Sequence, residues 1–316
     1  MSAPVILDTD LAMGAPGSDI DDGFALALAV ADPGLDLRLV ITVNGNTDVA
    51  TATTLTAELL QRVGSPDTPL HRGAHRALLH PPSRRGQVPD DIAVRPPRPG
   101  HAVAALVEAV TARPGELILV AVGPLTNVAL AMLLEPDFAA SLGQLVIMGG
   151  VFAGTTGSAD LPGEFNVWSD PEAARVVLQS GVRATWVGLD VTRQVRLTRA
   201  QAVEMAADPR PFVAFAGAWS RAWIDHLAAG EEAGVDSCAL HDPLAVAAVS
   251  RPELLTLAEA HLEVQLDGVA RGVMVAERAL PGESRTPSGR EPNARIAVGV
   301  DAARFSQHFL DCLGRL

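Results

Sequence analysis

Short apolar runs alternate with longer amphipathic segments along most of the chain. The short runs are continuously hydrophobic, which is typical of strands that are covered on both faces. This alternation predicts an α/β protein with an open, mostly parallel central sheet and helices on both faces. The predicted strands cover residues 5–7, 37–43, 117–121, 145–148, 184–188, 262–266, 273–276 and 295–298.

Helical periodicity fills most of the intervals between these strands. The predicted helices cover residues 22–31, 48–63, 101–112, 125–134, 171–179, 242–249 and 301–313. Residues 197–229 also have a helical pattern, and we interpret the region around 197–240 as helical cap elements. Residues 81–99 are rich in Pro, Arg and Asp and are predicted to form a loop. Because neither repeats nor a linker is evident, we expect one domain over residues 1–316.

Charge and composition narrow the possible partners. The net charge of −13 argues against nucleic acid and against an anionic membrane, and it suits a small molecule or a metal cation. Cys238 and Cys312 are the only cysteines, and the N-terminus enters a strand without a secretory pattern, so a cytoplasmic location is expected. The chain has no lysine, which excludes Schiff-base chemistry and a phosphate-binding Walker lysine.

Carboxylates and amides follow several predicted strands, where ligands of an open parallel sheet bind. They are Asp8, Asp10, Asp19, Asp21, Asp22, Asn44, Asn46, Asn127, Glu164, Asn166 and Asp242. A bound cation would relieve their mutual repulsion, and a donor set of oxygens favours Ca²⁺ or Mg²⁺ over zinc. Separate helix caps and surface acids account for the same pattern: Asp21 and Asp22 could cap the next helix, and Asp170 before Pro171 is a typical cap.

A set of short motifs makes this pattern specific. They are Ile-Leu-Asp-Thr-Asp at 6–10 with the pair Asp21-Asp22, Thr-Val-Asn-Gly-Asn at 42–46, Gly-Pro-Leu-Thr-Asn at 123–127, Met-Gly-Gly at 148–150, Glu-Phe-Asn at 164–166, Asp-Pro-Glu-Ala-Ala at 170–174 and His-Asp-Pro at 241–243. In this order they resemble the inosine–uridine preferring nucleoside hydrolase family over nearly the whole chain. The resemblance implies an open α/β fold. It also implies an enzyme that hydrolyses the N-glycosidic bond of ribonucleosides with the help of a bound Ca²⁺.

The resemblance also implies a role for each matching residue. The metal ligands are the side chains of Asp10, Asp22 and Asp242 and the main-chain carbonyl of Thr126. The ribose hydroxyls would contact Asp21, Asn46, Glu164 and Asn166. Asp10 would be the general base for a Ca²⁺-activated water, and His241 would protonate the leaving base. A packed structural role for His241 is the alternative.

Three features depart from the family pattern. The loop at residues 11–20 is longer than in most members, adds Asp19 as a candidate and contains Gly14 and Gly17, which would let it fold back. Residues 80–94 lack the His-Gly-rich motif of many members. The asparagine that commonly holds the 5′-hydroxyl is missing, and Thr156 or Ser158 would have to replace it.

The motifs do not determine which aromatic side chain contacts the base or which elements form contacts between subunits. Because the chain has no tyrosine, the base would stack on Trp219, Trp223, Phe152 or Trp168, and we choose Trp223 as the substrate-binding side chain. Family members are commonly dimers or tetramers, so the resemblance implies a homo-oligomer, with Trp186 or the C-terminal helix as candidate interface elements.

Two other functions remain open at this point. A Mg²⁺ phosphatase of the haloacid dehalogenase type also begins with a strand that ends in Asp-x-Asp, but that chemistry usually needs a lysine. A catalytically silent protein of the same fold, which binds nucleosides or ribose, or an enzyme for an unusual substrate would keep the same pocket. Release of free base, release of phosphate, or binding without turnover distinguishes these functions.

Overall fold

A twisted sheet forms the centre of the protein in the computed structural model, which describes residues 2–81, 84–230, 235–280 and 282–316. Within these ranges the sheet has nine strands: β1 (Ala3–Thr9), β2 (Leu35–Thr42), β3 (Leu70–Arg72), β4 (Ile118–Ala121), β5 (Gln144–Met148), β6 (Thr185–Val187), β9 (Leu255–Val264), β10 (Met274–Arg278) and β11 (Ala294–Val300). Two further strands, β7 (Arg196–Thr198) and β8 (Ser237–Ala239), pair as an antiparallel ribbon.

Helices and short helical turns connect the strands. They are α1 (Asp21–Ala31), α2 (Val49–Arg62), α3 (Ala102–Thr111), α4 (Thr126–Leu134), α5 (Phe138–Ser141), α6 (Phe165–Ser169), α7 (Pro171–Gln179), α8 (Leu189–Thr192), α9 (Arg199–Ala206), α10 (Pro211–Ala229), α11 (His241–Ser250) and α12 (Ala302–Leu313). The short turns Pro252–Leu254 and Gly268–Ala270 are 3₁₀ helices. No helix in the described part of the chain is both long and apolar enough to cross a membrane.

The strand order β10-β9-β11-β6-β5-β4-β1-β2-β3 places the first strand inside the sheet, between β4 and β2. From β1 the chain first builds outward through β2 and β3, and it then returns to build the other side from β4. Strands β1 to β6 and β11 are parallel to one another where they pair. Strand β9 is antiparallel to both of its neighbours, β10 and β11. The strand order therefore reverses between β1 and β4, which is the position where such sheets bind ligands.

Two apolar cores cover the two faces of the sheet. Alternate residues of β1 point to opposite faces, so Val5 and Leu7 pack with α1, α10 and α11, whereas Ile6 packs with α3, α4 and α7. Both sets of side chains are almost fully buried. The predicted α/β class with helices on both faces is confirmed.

Several predicted elements need correction. Residues 197–229 do not form one continuous helical region: β7 comes first, and Pro209 and Pro211 separate α9 from α10 because proline interrupts helical hydrogen bonding. Part of the predicted cap region, residues 231–234, lies outside the described residues. The strand predicted at 262–266 is the much longer β9, whose first half carries polar, partly exposed residues. Trp186 is fully buried on β6, so its predicted role at a surface interface is wrong.

The long loop after β1 turns back on itself as its glycines suggested. Gly14 and Gly17 both have positive φ angles of 111° and 72°, which suit glycine. The first half of the loop, from Leu11 to Ala15, is buried, and Gly14 lies against Leu55 of α2. The predicted loop at 81–99 contains no helix or strand in its described residues, whereas Pro82 and Ser83 lie outside them.

Asp170 joins three parts of the fold through one buried carboxylate. As predicted, it caps α7 by accepting the Ala173 N–H at 3.1 Å. It also accepts the Thr126 hydroxyl of α4 at 2.6 Å and the Leu78 N–H at 2.9 Å. The same carboxylate therefore holds α4, α7 and the segment after β3 together.

We expect Asp170→Ala to lower the free energy of unfolding by about 2–4 kcal/mol, because it removes a cap and leaves buried donors without acceptors. Asp301→Ala is the matched control, since Asp301 caps α12 on the surface with one bond to the Arg304 N–H. Its loss should cost about 1 kcal/mol. Urea unfolding in EDTA measures both variants, and equal losses would contradict this account of Asp170.

Candidate active site

A cavity of about 390 Å³ lies at the carboxyl ends of the strands, where the strand order reverses. Acids, amides and aromatic side chains from distant parts of the sequence line it. The polar lining consists of Asp19, Asp21, Asn46, Arg84, Thr156, Ser158, Glu164, Asn166, Arg193, His241 and Asp242. The apolar lining consists of Val122, Met148, Leu161, Phe165, Leu189 and Trp223.

Three carboxylates meet on one side of this cavity. Asp21, Asp22 and Asp242 each contribute an oxygen, and these oxygens all lie within 4.8 Å of one another. Asp21 and Asp22 begin α1 and Asp242 lies in the first turn of α11, and these two helices pack together. The Asp242 N–H donates to Asp21 Oδ2 at 3.1 Å and fixes the two helix starts side by side. The alternative that Asp21 and Asp22 are N-caps is wrong, because the cap position of α1 is Ile20.

Asp10 lies beside this cluster, directly after β1, and is fully buried. Its Oδ2 accepts the Asn46 N–H at 2.6 Å, whereas its Oδ1 has no hydrogen-bond partner in the described structure. Side-chain carbons at Gly45 or Gly123 would overlap the Asp10 carboxylate. The glycines of two family motifs therefore allow the backbone to approach this carboxylate closely.

Neighbouring donors fix the orientation of Asp22. The Thr9 hydroxyl donates to Asp22 Oδ1, and the Asn46 side-chain amide donates to Asp22 Oδ2 at 3.1 Å. Asn46 thus contacts Asp10 through its backbone and Asp22 through its side chain. A shift of Asn46 would move both carboxylates.

Burial and mutual repulsion make these groups weak acids. Burial raises the pKa of Asp10 to about 7, with a smaller contribution from the charges of Asp21 and Glu164. Burial, followed by the charges of neighbouring aspartates, raises the pKa values of Asp21, Asp22 and Asp242 well above the ordinary range. Burial also raises the pKa of Asp19 to about 6, and the pKa of Asp8 to about 8.

This arrangement fits a hard divalent cation. Three carboxylate oxygens lie close enough to share one ion, and the unpartnered Oδ1 of Asp10 is a further buried acceptor nearby. Oxygen donors of this kind are those that Ca²⁺ and Mg²⁺ prefer. Thr126 begins α4 and is buried, and its hydroxyl donates to Asp170. The role of its main-chain carbonyl as a ligand stays a prediction.

Glu164 and Asn166 form a second polar wall. Glu164 caps α6: its Oε1 accepts the Asn166 N–H at 2.8 Å, and its Oε2 accepts the N–H groups of Gly150 and Val167, each at 3.1 Å. The Asn166 Nδ2 donates to the Val122 carbonyl at 2.8 Å. Because this nitrogen is occupied, the Asn166 Oδ1 is the atom left to accept a ligand hydroxyl.

His241 lies next to the acid cluster at the start of α11. Its Nδ1 is 2.7 Å from the Thr192 hydroxyl oxygen. Burial, and then the positive charges of Arg193 and Arg196, lower the pKa of His241 to about 4. The free imidazole is therefore neutral at neutral pH.

Aromatic side chains form another part of the lining. Trp223 lines the cavity as predicted, and its ring stacks on His226 with the centroids 5.2 Å apart. Trp219, Phe152 and Trp168, the other candidates for base stacking, are not among the lining residues of the described chain. Phe165 is an aromatic lining residue that the sequence did not single out, and the Arg84 guanidinium lies 4.2 Å from its ring centroid.

The structure thus brings most of the predicted site residues to one cavity. Asp21, Asn46, Glu164, Asn166, Trp223, His241 and Asp242 line it. Asp10 and Asp22 are not among its described lining residues, but both accept hydrogen bonds from the lining residue Asn46. Thr156 and Ser158, the candidates for the 5′-hydroxyl, also line it. Three residues after β6 were not predicted from the sequence. Leu189 and Arg193 line the cavity, and Thr192 contacts His241. Their position after a predicted strand was a usable signal.

Known proteins match this chain along its whole length. A family model described as "Inosine-uridine preferring nucleoside hydrolase" matches residues 5–307. The chain is 33% identical to probable uridine nucleosidase 2 of Arabidopsis thaliana, covering 98% of this chain and 97% of that protein. It is 34% identical to the non-specific ribonucleoside hydrolase RihC of Salmonella paratyphi B, covering 97% and 96%.

A solved structure gives the same result. The plant nucleoside hydrolase PpNRh1 superposes with a TM-score of 0.88 at 29% identity, over 99% of both chains. With a matching family model, similar relatives and the same fold, this chain belongs to the inosine–uridine preferring nucleoside hydrolase family.

Proposed function

We propose that this protein hydrolyses the N-glycosidic bond of ribonucleosides, releasing free base and ribose. Ca²⁺ would be held by Asp10, Asp22, Asp242 and the Thr126 carbonyl, and Asp10 would also be the general base. One observation carries the proposal. Carboxylates of α1 and α11 converge beside Asp10 in a cavity that also collects Asn46, Glu164 and Asn166. The cavity therefore combines a cation site with several acceptors for the hydroxyl groups of a sugar.

Asp10, Asp22 and Asp242, with the Thr126 carbonyl, are the proposed ligands of the ion. When bound, Ca²⁺ supplies positive charge that favours ionised carboxylates and lowers the pKa of a coordinated water. With the ion bound, the Asp10 carboxylate would be ionised and could therefore accept a proton from that water. Its Oδ2 is occupied by the Asn46 N–H, so the unpartnered Oδ1 is the atom that would take the proton.

The ribose would lie between the acid cluster and the second polar wall. Asp21, Asn46, Glu164 and Asn166 would accept or donate hydrogen bonds to its hydroxyl groups, and the hydroxyls of Thr156 and Ser158 are proposed for its 5′ end. These contacts would hold the sugar while positive charge develops at C1′ in an oxocarbenium-like transition state. Nearby carboxylates stabilise that charge.

The leaving base would lie against Trp223 and His241. Trp223 offers an aromatic face for the base, and His241 Nε2 offers a proton. Negative charge that develops on the leaving base would favour the protonated form of the His241 ring. Burial, and then the charges of Arg193 and Arg196, act in the opposite direction by lowering the pKa of the ring. Nucleophile and proton donor would then act on opposite ends of the same bond.

The stability of the protein should depend on pH and on Ca²⁺ in linked ways. In the folded metal-free protein the pKa of Asp10 is raised from 3.8 to about 7, so its stabilising contribution is present at low pH and is lost as pH rises through about 7. Ca²⁺ needs ionised ligands. We therefore expect saturating Ca²⁺ to raise Tm by about 5 °C or more near pH 8, and by less near pH 5.5.

Differential scanning fluorimetry with and without Ca²⁺ at both pH values measures this effect. Asp242→Asn is expected to remove most of the Ca²⁺-dependent shift, whereas the exposed Asp67→Asn should retain it. The assigned cation site would be contradicted if Ca²⁺ did not raise the Tm of the wild-type protein. It would also be contradicted if Ca²⁺ raised the Tm of Asp242→Asn as much as that of the wild-type protein.

Asp10→Asn should lower the rate of ribose release by a factor of about 10²–10⁴, because the amide can still accept the Asn46 N–H but cannot take a proton. The assay is release of free ribose from a panel of purine and pyrimidine ribonucleosides. Ca²⁺ binding is measured separately by calorimetry, and Asp67→Asn is the control. A variant that binds Ca²⁺ normally and keeps the wild-type rate would exclude Asp10 as the base.

Ribonucleosides should be cleaved with a kcat/KM at least about 100-fold higher than that of the matching 2′-deoxyribonucleosides, because the deoxy sugar leaves buried polar groups unpaired. The two substrates differ by one hydroxyl, so each pair controls for the base. Equal rates would contradict the assigned ribose contacts. Tight nucleoside binding without base release across the panel would instead indicate a catalytically silent binding protein.

A further inference from the structure

One contact to the proposed proton donor has no role in the function described so far. The Thr192 hydroxyl oxygen lies 2.7 Å from His241 Nδ1, and Thr192 is fully buried. In the described structure this hydroxyl makes no other hydrogen bond, and His241 Nε2 makes none. Since His241 lines the cavity, Nε2 is the ring nitrogen left for a substrate.

The backbone around this contact is held by several hydrogen bonds. Thr192 and His241 are 49 positions apart in the sequence, and the ribbon of β7 and β8 joins the segments that carry them. The Leu240 N–H, next to His241, donates to the Val195 carbonyl at 2.9 Å. At its other end α8 is fixed to the end of β5 by the Leu189 N–H, which donates to the Gly150 carbonyl at 2.9 Å. Backbone hydrogen bonds on both sides of Thr192 therefore fix the position of its hydroxyl relative to the His241 ring.

A hydroxyl suits both protonation states of the ring. It can donate to Nδ1 of the neutral imidazole, which places the only ring proton on Nε2. When the ring is protonated, the same hydroxyl can accept the Nδ1–H.

We infer that Thr192 is a positioning residue that orients the His241 ring so that Nε2 faces the leaving base. This inference rests on the proposed function. As the C1′–N bond breaks, a water would form the C1′–O bond and give its proton to Asp10. The electron pair of the broken bond stays on the base nitrogen, which takes the proton from Nε2 of the protonated ring. The ring becomes neutral with its remaining proton on Nδ1, donated to the Thr192 hydroxyl, and solvent later returns a proton to the ring.

The experiment compares two substrates in Thr192→Val, which keeps the shape of the side chain and removes the hydroxyl. A ribonucleoside needs protonation of its base, whereas p-nitrophenyl β-D-riboside releases a nitrophenolate that leaves without a proton. We expect kcat to fall by about 10- to 100-fold for the ribonucleoside and to change by less than about 3-fold for the nitrophenyl riboside. Thr192→Ser should restore most of the ribonucleoside activity.

Thr185→Val is the matched control, because Thr185 is a buried threonine of β6 whose hydroxyl has no partner in the described structure. It should keep the wild-type kcat on both substrates. Ca²⁺ affinity and Tm are measured for each variant, and they should match the wild-type values in Thr192→Ser.

The outcomes separate the two proposals. Equal losses on both substrates in Thr192→Val, or no recovery in Thr192→Ser, would overturn the role of Thr192 while wild-type hydrolysis stands. Wild-type kcat for the ribonucleoside in Thr192→Val would overturn it as well. If the wild-type protein releases neither base nor nitrophenolate, the proposed function fails, and the role of Thr192 fails with it.

Discussion

The mutual repulsion of buried carboxylates is the constraint on which the site depends. Asp10, Asp21, Asp22 and Asp242 are almost fully buried together, and burial with like charges raises the pKa of each one. Such a cluster destabilises a metal-free fold at neutral pH, so a structure that retains it needs a compensating cation or retained protons. The apolar cores on both faces of the sheet stabilise the fold and offset the free energy that the buried carboxylates cost.

Backbone and hydroxyl donors decide which carboxylate atoms stay available. The Asn46 N–H occupies one oxygen of Asp10, and the Thr9 hydroxyl and the Asn46 amide occupy Asp22. Further from the cavity, Asn127 donates to Asp8 at 2.9 Å and to the Thr42 carbonyl at 3.0 Å, which links β1, β2 and α4. Each donor therefore fixes an acid and also joins the strand ends that form the site.

The two ends of the cavity differ in character. Around the acid cluster, the residues proposed to contact metal and ribose lie on the ends of strands and the first turns of helices. Toward Trp223 and Phe165 the lining comes from α10, from the loop that carries Arg84 and from the segment after β6. Of these regions, the loop that carries Arg84 lies within residues 80–94, where the sequence departs from the family pattern.

The sequence by itself determined the α/β class, most strands and helices, and the carboxylates of the site, because apolar periodicity and short motifs are local properties of the chain. It also determined that Asp170 caps α7, since that cap needs only neighbouring residues. Only the tertiary structure decided that Asp21 and Asp22 begin α1 instead of capping it, that Trp186 is buried, and that Thr192 contacts His241. These outcomes depend on how distant segments pack, and no local pattern encodes a contact between residues 49 positions apart.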